Sequence, residues 1–466
     1  MGRLILITFL VFAVWLIRRD TARRPGISGA LWIPTLWVGI LASRPLSTWV
    51  GFGGGTDTLE GSPLDRLFFF ALVVAAFITV SRRQINWSNV FFRNWPVFLF
   101  YGYLLITVLW AESPVVSFKR WFKEFGNIIV LLVILTEVNP QEAFRAVFVR
   151  CAYVLLPLSF IFIRWFPNLG RHYSIHSGAM EATGVTFQKN SLGACVLVVT
   201  LVLMWDWMER SRPGMPRWGK MERWVPLAVL ALAAYLIHLC DSKTSIACLL
   251  LGGGILAAVK LPLLRQKIGQ FGGYALAGLA LFYLIDHMFG VSEWIVRSMG
   301  RDMTFTGRTD VWRELLALKT DPIFGLGFCS IWSNRSILDR LPDWVGASAH
   351  NGYLEMYLDG GYLAVFFLAL MLLMVSLKIN RQLKHAGTYA LIGFAVVLVT
   401  IIGDFSESHF GRMSPLGFLF LLVAFEIPPS INSHPVQAAD ESQWRLEEIS
   451  ARSPVMAGSF HSRVSL

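Results

Sequence analysis

The sequence predicts an all-α integral membrane protein: a polytopic bundle of about 12–13 transmembrane helices with one large external loop containing short helices. Three observations carry this. Hydrophobic residues make up 55% of the chain against 15% charged, and mean hydropathy is +0.56, which rules out a soluble domain. Apolar runs recur along the whole length, with 18 Trp and 35 Phe suited to many helices with aromatic ends at the bilayer interface. The basic residues alternate from loop to loop as orientation in a membrane requires. A formal net charge of +11 would suggest nucleic acid in a soluble protein; here it is explained by the loops on one side, and no nucleic-acid partner is expected.

Thirteen runs qualify as candidate spans: Leu4–Ile17, Leu31–Leu41, Leu67–Val80, Pro96–Trp110, Ile128–Leu135, Ala146–Ile163, Leu192–Trp207, Trp224–Leu239, Ser245–Val259, Tyr274–Phe289, Tyr353–Leu377, Tyr389–Ile402 and Pro415–Phe425. The charges of the first follow its apolar run, which argues for a retained helix rather than a signal sequence. The fifth is short and has a possible earlier start near Phe122. If all thirteen alternate, six basic clusters share one side, from Arg18/Arg19/Arg23/Arg24 to Lys378/Arg381/Lys384. The amino end is then outside and the carboxyl end inside. The domain reading is 1–290 for helices one to ten, 291–352 for the large loop, 353–428 for the last three helices and 429–466 for a flexible cytoplasmic tail. That tail is polar and aperiodic.

Two external stretches exceed ordinary connections, Arg164–Asn190 and Gly290–Asn351. Loops of the second length are commonly functional or disordered. This one carries two amphipathic segments, Ser292–Met299 and Thr309–Lys319. Thr306 or Thr309 is placed to cap the second, and Asp321-Pro322 ends it.

No P-loop, CxxC pair, HExxH or DxD sequence occurs, so neither a nucleotide cradle nor a zinc site is expected. Of Cys151, Cys195, Cys240, Cys248 and Cys329, only Cys329 lies outside a predicted helix or its end, and no disulfide framework is implied. The chemistry-bearing residues sit at external helix starts. His350, in His350-Asn351-Gly352, directly precedes a predicted span. A helix start suits an anionic ligand and disfavours imidazolium, which makes this histidine a candidate proton acceptor; an interfacial cap is the plainer alternative. Lys243 lies at a bilayer edge, where a charge is costly unless paired or hydrated; it is readable as a functional cation or as a snorkelling lysine paired with Asp241. Arg308 begins a helix after Gly307, and its planar guanidinium fits phosphate oxygens in pairs. Lys189, Arg313, Arg171, Arg301 and Arg412 add scattered external cations. Glu355 shares a helix face with Asn351, while Asp404 and Glu407 lie in the Gly403–Ser414 loop. Either acidic set could orient a base, bind sugar hydroxyls or form a hydrated helix end.

The order Gly307-Arg308…Trp312, Asp321-Pro322-Ile323-Phe324-Gly325-Leu326-Gly327, then His350-Asn351-Gly352-Tyr353-Leu354-Glu355 resembles the O-antigen ligase and O-antigen or exopolysaccharide polymerase superfamily of bacterial envelopes. Gly184–Gly193, Ser242–Ser245 and Trp110–Pro114 echo it more weakly, so the resemblance covers about Trp110 to Phe410. It implies a multi-pass inner-membrane glycosyltransferase of lipopolysaccharide or exopolysaccharide biosynthesis with its active site on the periplasmic side. Such an enzyme moves a glycan from a polyprenyl (undecaprenyl) diphosphate carrier to lipid A core or a growing chain, without a metal or other cofactor. By the same resemblance His350 is the catalytic base. The resemblance makes Arg308 a diphosphate ligand that acts with His350 in catalysis, and it gives Lys243 as the second basic residue. From their own placement, Lys189 and Arg313 are expected to join the diphosphate-binding set, and Asn351 and Glu355 to orient the base or the acceptor. Lys243 stands where the family often has arginine, closer to the exopolysaccharide polymerase pattern. The rival is a transporter or flippase of lipid-linked glycans, which predicts charges deep in spans and broken helices related by a repeat.

Overall fold

Chain segments of high hydropathy fold as helices that pack around two central ones. The computed structural model describes residues 1–22, 26–51, 62–173, 178–211, 220–258, 270, 272–273, 308–342, 345, 348–383 and 387–427. In chain order come α1 (Gly2–Ala22), α2 (Trp32–Leu41), α3 (Leu46–Trp49), α4 (Pro63–Ser81), α5 (Trp87–Arg93), α6 (Trp95–Thr107), α7 (Pro114–Leu135), α8 (Pro140–Trp165) and α9 (Pro167–Gly170). Strands β1 (Arg171–Tyr173) and β2 (Met180–Ala182) then pair antiparallel, with Arg171 opposite Ala182. Next are α10 (Lys189–Arg210), α11 (Lys220–Cys240), α12 (Lys243–Ala258), α13 (Arg308–Ala317), α14 (Arg335–Leu338), α15 (Gly352–Gln382), α16 (Gly387–Gly403) and α17 (Pro415–Ala424). The candidate span Tyr274–Phe289, the helix expected over Ser292–Met299, Arg301, Thr306, and the tail from Pro428 onward lie outside the described residues.

Every other candidate span falls on one of these helices. Among the described residues, 5 helices are long and apolar enough to cross a membrane unaided, and the 83° bent pair Trp87–Arg93 and Trp95–Trp110 raises the number to 6. The remaining apolar helices are shorter; α17, for example, is buried at all ten positions and is enclosed by its neighbours. The fold is an all-α, multi-pass membrane bundle. α8 and α10 form its centre, with 83% and 72% of their apolar windows buried, whereas α4 and α15 each bury 28% and present most of their apolar surface outward. α7 starts at Pro114, well before the apolar run that signalled it. Lys119, Arg120, Lys123 and Glu124 depress the hydropathy of its first half, yet Trp121, Glu124 and Asn127 are buried there.

Three of the basic residues expected on the inner side, Arg83, Arg145 and Arg210, pair with buried acids. Arg83 pairs with Glu137, whose carboxylate also accepts from Ser28 N at 3.1 Å and Ser28 Oγ at 2.6 Å. Asp206 joins Arg145 to Arg210. Buried charges persist only when so paired and hydrogen-bonded.

One feature of α15 departs from the sequence reading of a single continuous span. Gly360 and Gly361 have non-helical backbone angles, and Gly361 has φ +64°, a left-handed geometry that glycine adopts without a Cβ clash. The break frees backbone groups that need partners from outside the helix. The Asp321–Gly327 segment supplies the partners. Tyr362 N donates to Pro322 O at 2.8 Å and Leu363 N to Ile323 O at 3.3 Å, while Leu326 N and Gly327 N donate to the carbonyls of Leu358 and Asp359. Tyr103 Oη donates to Gly360 O at 2.7 Å. Gly325 (φ +68°) and Gly327 (φ +95°) turn this segment against the break and against Ala111; a Cβ at either would collide with backbone. The DPxxGxG sequence is thus a brace that splices the large loop into a broken helix.

Candidate functional site

Three helix starts, those of α12, α13 and α15, are gathered by the loop between α16 and α17, and the first turn of α10 packs on the α12 start. The Asn351 side chain caps α15, its Oδ1 accepting from Tyr353 N and Leu354 N at 3.0 Å each, which satisfies donors that no helical carbonyl can reach. Gly352 N donates to the carbonyls of both Asp404 (2.8 Å) and Glu407 (2.9 Å). A Cβ at residue 352 would overlap the Asp404 carboxylate, so only glycine permits this approach.

His350 is held beside that junction in a left-handed conformation, φ +48°. Asp241 and Cys329 are the other non-glycine residues with positive φ among those described, and Asp241 flanks Lys243. Strain of this kind persists where surrounding structure enforces it, and it is enriched at functional sites. His350 Nδ1 lies 3.5 Å from Glu407 Oε2, and Arg308 Nη2 lies 3.0 Å from Glu407 Oε1. Arg308 Nη1 also donates to Ser406 O. Glu407 therefore stands between the two residues that the sequence singles out. The His350 side chain remains 36% exposed, against 13% for Arg308 and 20% for Glu407: the imidazole is open to a reactant while its companions are mostly enclosed.

The other expected site residues divide. Lys243 opens α12 and pairs with Asp241 at 2.7 Å, so the snorkelling-pair geometry is present. The Oγ1 of its neighbour Thr244 lies 2.8 Å from Ser406 Oγ, which brings the α12 start to the same loop residue whose carbonyl Arg308 holds. Lys189 opens α10 and pairs with Glu181 of β2 at 2.7 Å. One turn on, Gly193 lets α10 pack closely on Ser242 and Ser245. Arg313 pairs with Asp310 at 2.9 Å, with its side chain 74% exposed, and its ion pair is not with the His350 group. Arg171 donates to Ile163 O at 2.8 Å, bracing the β1 turn.

Glu355 is buried and holds the backbone that leads into His350. Its Oε1 accepts from Ala349 N at 2.8 Å, and its Oε2 accepts from Trp332 Nε1 at 2.8 Å and pairs with Arg412 at 2.6 Å. Ser348 Oγ accepts from His350 N at 3.1 Å, and Trp312 Nε1 donates to Ala349 O at 2.9 Å. Arg412, grouped with the external cations in the sequence, is directed inward onto Glu355 and Asp359.

Electrostatics separate the acids and bases of the 403–414 loop. Burial pushes the Glu407 carboxyl upward, but the hydrogen bond with His350 and the Arg308 charge outweigh it, leaving the group below its usual range and ionised. Burial drives Asp404 well above the carboxylate range; its Oδ1 accepts from His409 N at 2.8 Å. Burial also pushes the His409 imidazole down to about 4, an effect partly offset by Glu407. This second histidine is enclosed and neutral, with Nδ1 3.1 Å from Ser414 Oγ, and is unsuited to exchange protons with a substrate. Because its folded pKa lies below the ordinary 6.5, the unfolded chain takes up a proton between pH 6.5 and 4 that the folded one does not. Stability should therefore fall as pH drops through that window and level off below it. His409→Asn is expected to remove up to about 3 kcal/mol of this pH dependence, read as flatter melting temperatures in detergent between pH 6.5 and 4. An unaltered slope would assign the acid sensitivity to other groups.

Residues 190–369 match the family described as O-Antigen ligase. The exopolysaccharide production protein ExoQ of Rhizobium meliloti (strain 1021) is 25% identical over 296 residues, which cover 59% of this chain and 63% of that relative. The chain thus matches just under two thirds of the relative's length. No solved structure matches the chain. The family match contains Lys243, Arg308, Arg313, His350, Asn351 and Glu355, begins one residue after Lys189, and ends before Glu407 and Arg412. The stretch that carries most of these motifs, residues 190–369, is thus similar to the O-antigen ligase family.

Proposed function

We propose that the chain is a glycosyltransferase of the bacterial inner membrane, acting on the periplasmic side and moving a glycan from a polyprenyl-diphosphate carrier to a sugar hydroxyl. The observation that carries this reading is the convergence of a partly open histidine and a phosphate-matched arginine on one carboxylate at a cluster of helix starts. His350 removes the acceptor proton as the acceptor oxygen bonds to the anomeric carbon. The bond from that carbon to the diphosphate oxygen breaks, its electron pair leaves with the lipid diphosphate, and the anomeric centre inverts. Arg308, with Lys243 and Lys189 at neighbouring helix starts, stabilises the charge that grows on the leaving group. These cations do the work a metal would otherwise do. Asn351 fixes the helix start, Glu355 fixes the approach to His350, and Arg313 contributes to the field at the mouth.

The broken α15 is the observation that favours a transporter. Its freed N–H and carbonyl groups are occupied by the 322–327 segment, which makes it a braced joint and removes the usual ligand-binding use of such a break. Deleting the gene and sizing the lipid-linked and surface glycans separates the readings. Single repeat units left on carrier outside the membrane would mean lost polymerisation. Full-length chains stranded on carrier would mean lost ligation. Carrier-linked units trapped on the inner face would support transport and overturn the transferase.

A further inference from the structure

We infer that Arg412 is a positioning residue that sets the conformation of the His350 turn through Glu355, an inference that rests on His350 being the proposed base. The Arg412 guanidinium binds two carboxylates on one face of α15, with Nη2 at 2.6 Å from Glu355 Oε2 and Nη1 at 2.8 Å from Asp359 Oδ2. Residues 355 and 359 are four apart, so their side chains rise together from the first half of the broken helix. Both carboxylates are only 2% exposed. Each passes the cation's hold onward. Glu355 Oε1 takes the Ala349 N–H, one residue before His350, and Asp359 Oδ1 takes the Cys329 N–H at 2.9 Å. Cys329 is one of the few non-glycine residues with positive φ, at +52°. One largely enclosed cation therefore ties down two backbone turns that L-residues adopt only under constraint. The third side of Arg412 faces a cavity of about 10 Å³ shared with Glu124, Asn127 and His409, and its side chain is 17% exposed. Its ion pairs are with Glu355 and Asp359 and not with His350 or Glu407, so it acts on the base through Glu355.

Geometry explains why arginine is required. Two carboxylates in fixed directions need a planar fork, and an ammonium reaches both only by displacing one. Misplacing a catalytic group by about 1 Å costs on the order of 10²-fold in rate. The test uses the full-length protein in lipid nanodiscs, with carrier-linked glycan extracted from a strain lacking this gene as donor. Arg412→Lys and, separately, Glu355→Gln are expected to lower kcat about 10²-fold while leaving the donor KM within about twofold. In a His350→Ala background each should change the residual rate less than about twofold, because the group they position is gone. A rise in donor KM alone, a further drop of about tenfold on top of His350→Ala, or wild-type kcat in Glu355→Gln would overturn the positioning role. Glu355→Gln keeps the question answerable should Arg412→Lys fail to fold. Wild-type turnover in His350→Ala itself would remove the proposed base, and that failure is distinguishable because Arg412→Lys would then be read against an active background.

Discussion

His350→Gly is expected to leave a folded protein that turns over ~10²–10⁴-fold more slowly, the usual loss when a general base is removed. The substitution separates chemistry from stability better than alanine does. His350 sits at φ +48°, where an L-residue carries a penalty of about 1–2 kcal/mol and glycine carries almost none. Its side chain is 36% exposed, and its charged neighbour Glu407 is at 3.5 Å, so little packing is lost with the ring. Thermal stability should stay level or rise while transfer collapses. The measurement is single-turnover transfer from carrier-linked donor, beside a melting curve of the same preparation. A stable His350→Gly protein with wild-type turnover would remove this residue from the reaction.

The sequence revealed most of the helical framework because each span carries its own hydropathy, a local property. It also offered the residues from which the site is proposed, since Gly307-Arg308 and His350-Asn351-Gly352 lie in recognisable order within one stretch. What it concealed depends on distance. The start of α7 was hidden because Lys119, Arg120 and Lys123 interrupt the apolar run, although Trp121 and Asn127 are buried. The break in α15 had a signal, the adjacent pair Gly360-Gly361 inside an apolar segment. Its consequence, a helix spliced to Asp321–Gly327, joins residues some forty apart. Arg412 looked like one more external cation; only its inward pairing with Glu355 and Asp359 distinguishes it. Glu407 was one of two acids in a short loop, and its selection over Asp404 comes from geometry: Asp404 is spent on the backbone of His409 and Phe410, while Glu407 faces His350 and Arg308.

That geometry gives Glu407→Gln an unusual expected signature, a lower kcat together with a lower donor KM. The carboxylate has two neighbours with opposed needs. In the proposed reaction it is an orienting acceptor toward His350, and its charge would favour the imidazolium formed as the acceptor hydroxyl loses its proton; without that charge the transition state is raised, at an expected cost on the order of 10² in kcat. Toward Arg308 it is a competitor. Its Oε1 sits 3.0 Å from Nη2, on the donor face that a diphosphate would engage. The pair is mostly enclosed, at 13% and 20% exposure, so screening does not erase the competition. An amide in that place leaves the guanidinium's charge uncompensated, and a dianionic donor should bind about tenfold more tightly, a change of roughly 1.4 kcal/mol that is modest for one charge-assisted contact. Loss of fold, or general disorder of the loop, would move kcat and affinity downward together and so raise KM. Steady-state kinetics across donor concentration therefore separates the two: KM falling with kcat supports Glu407 shared between base and diphosphate ligand, and KM rising with it assigns Glu407 to the framework alone.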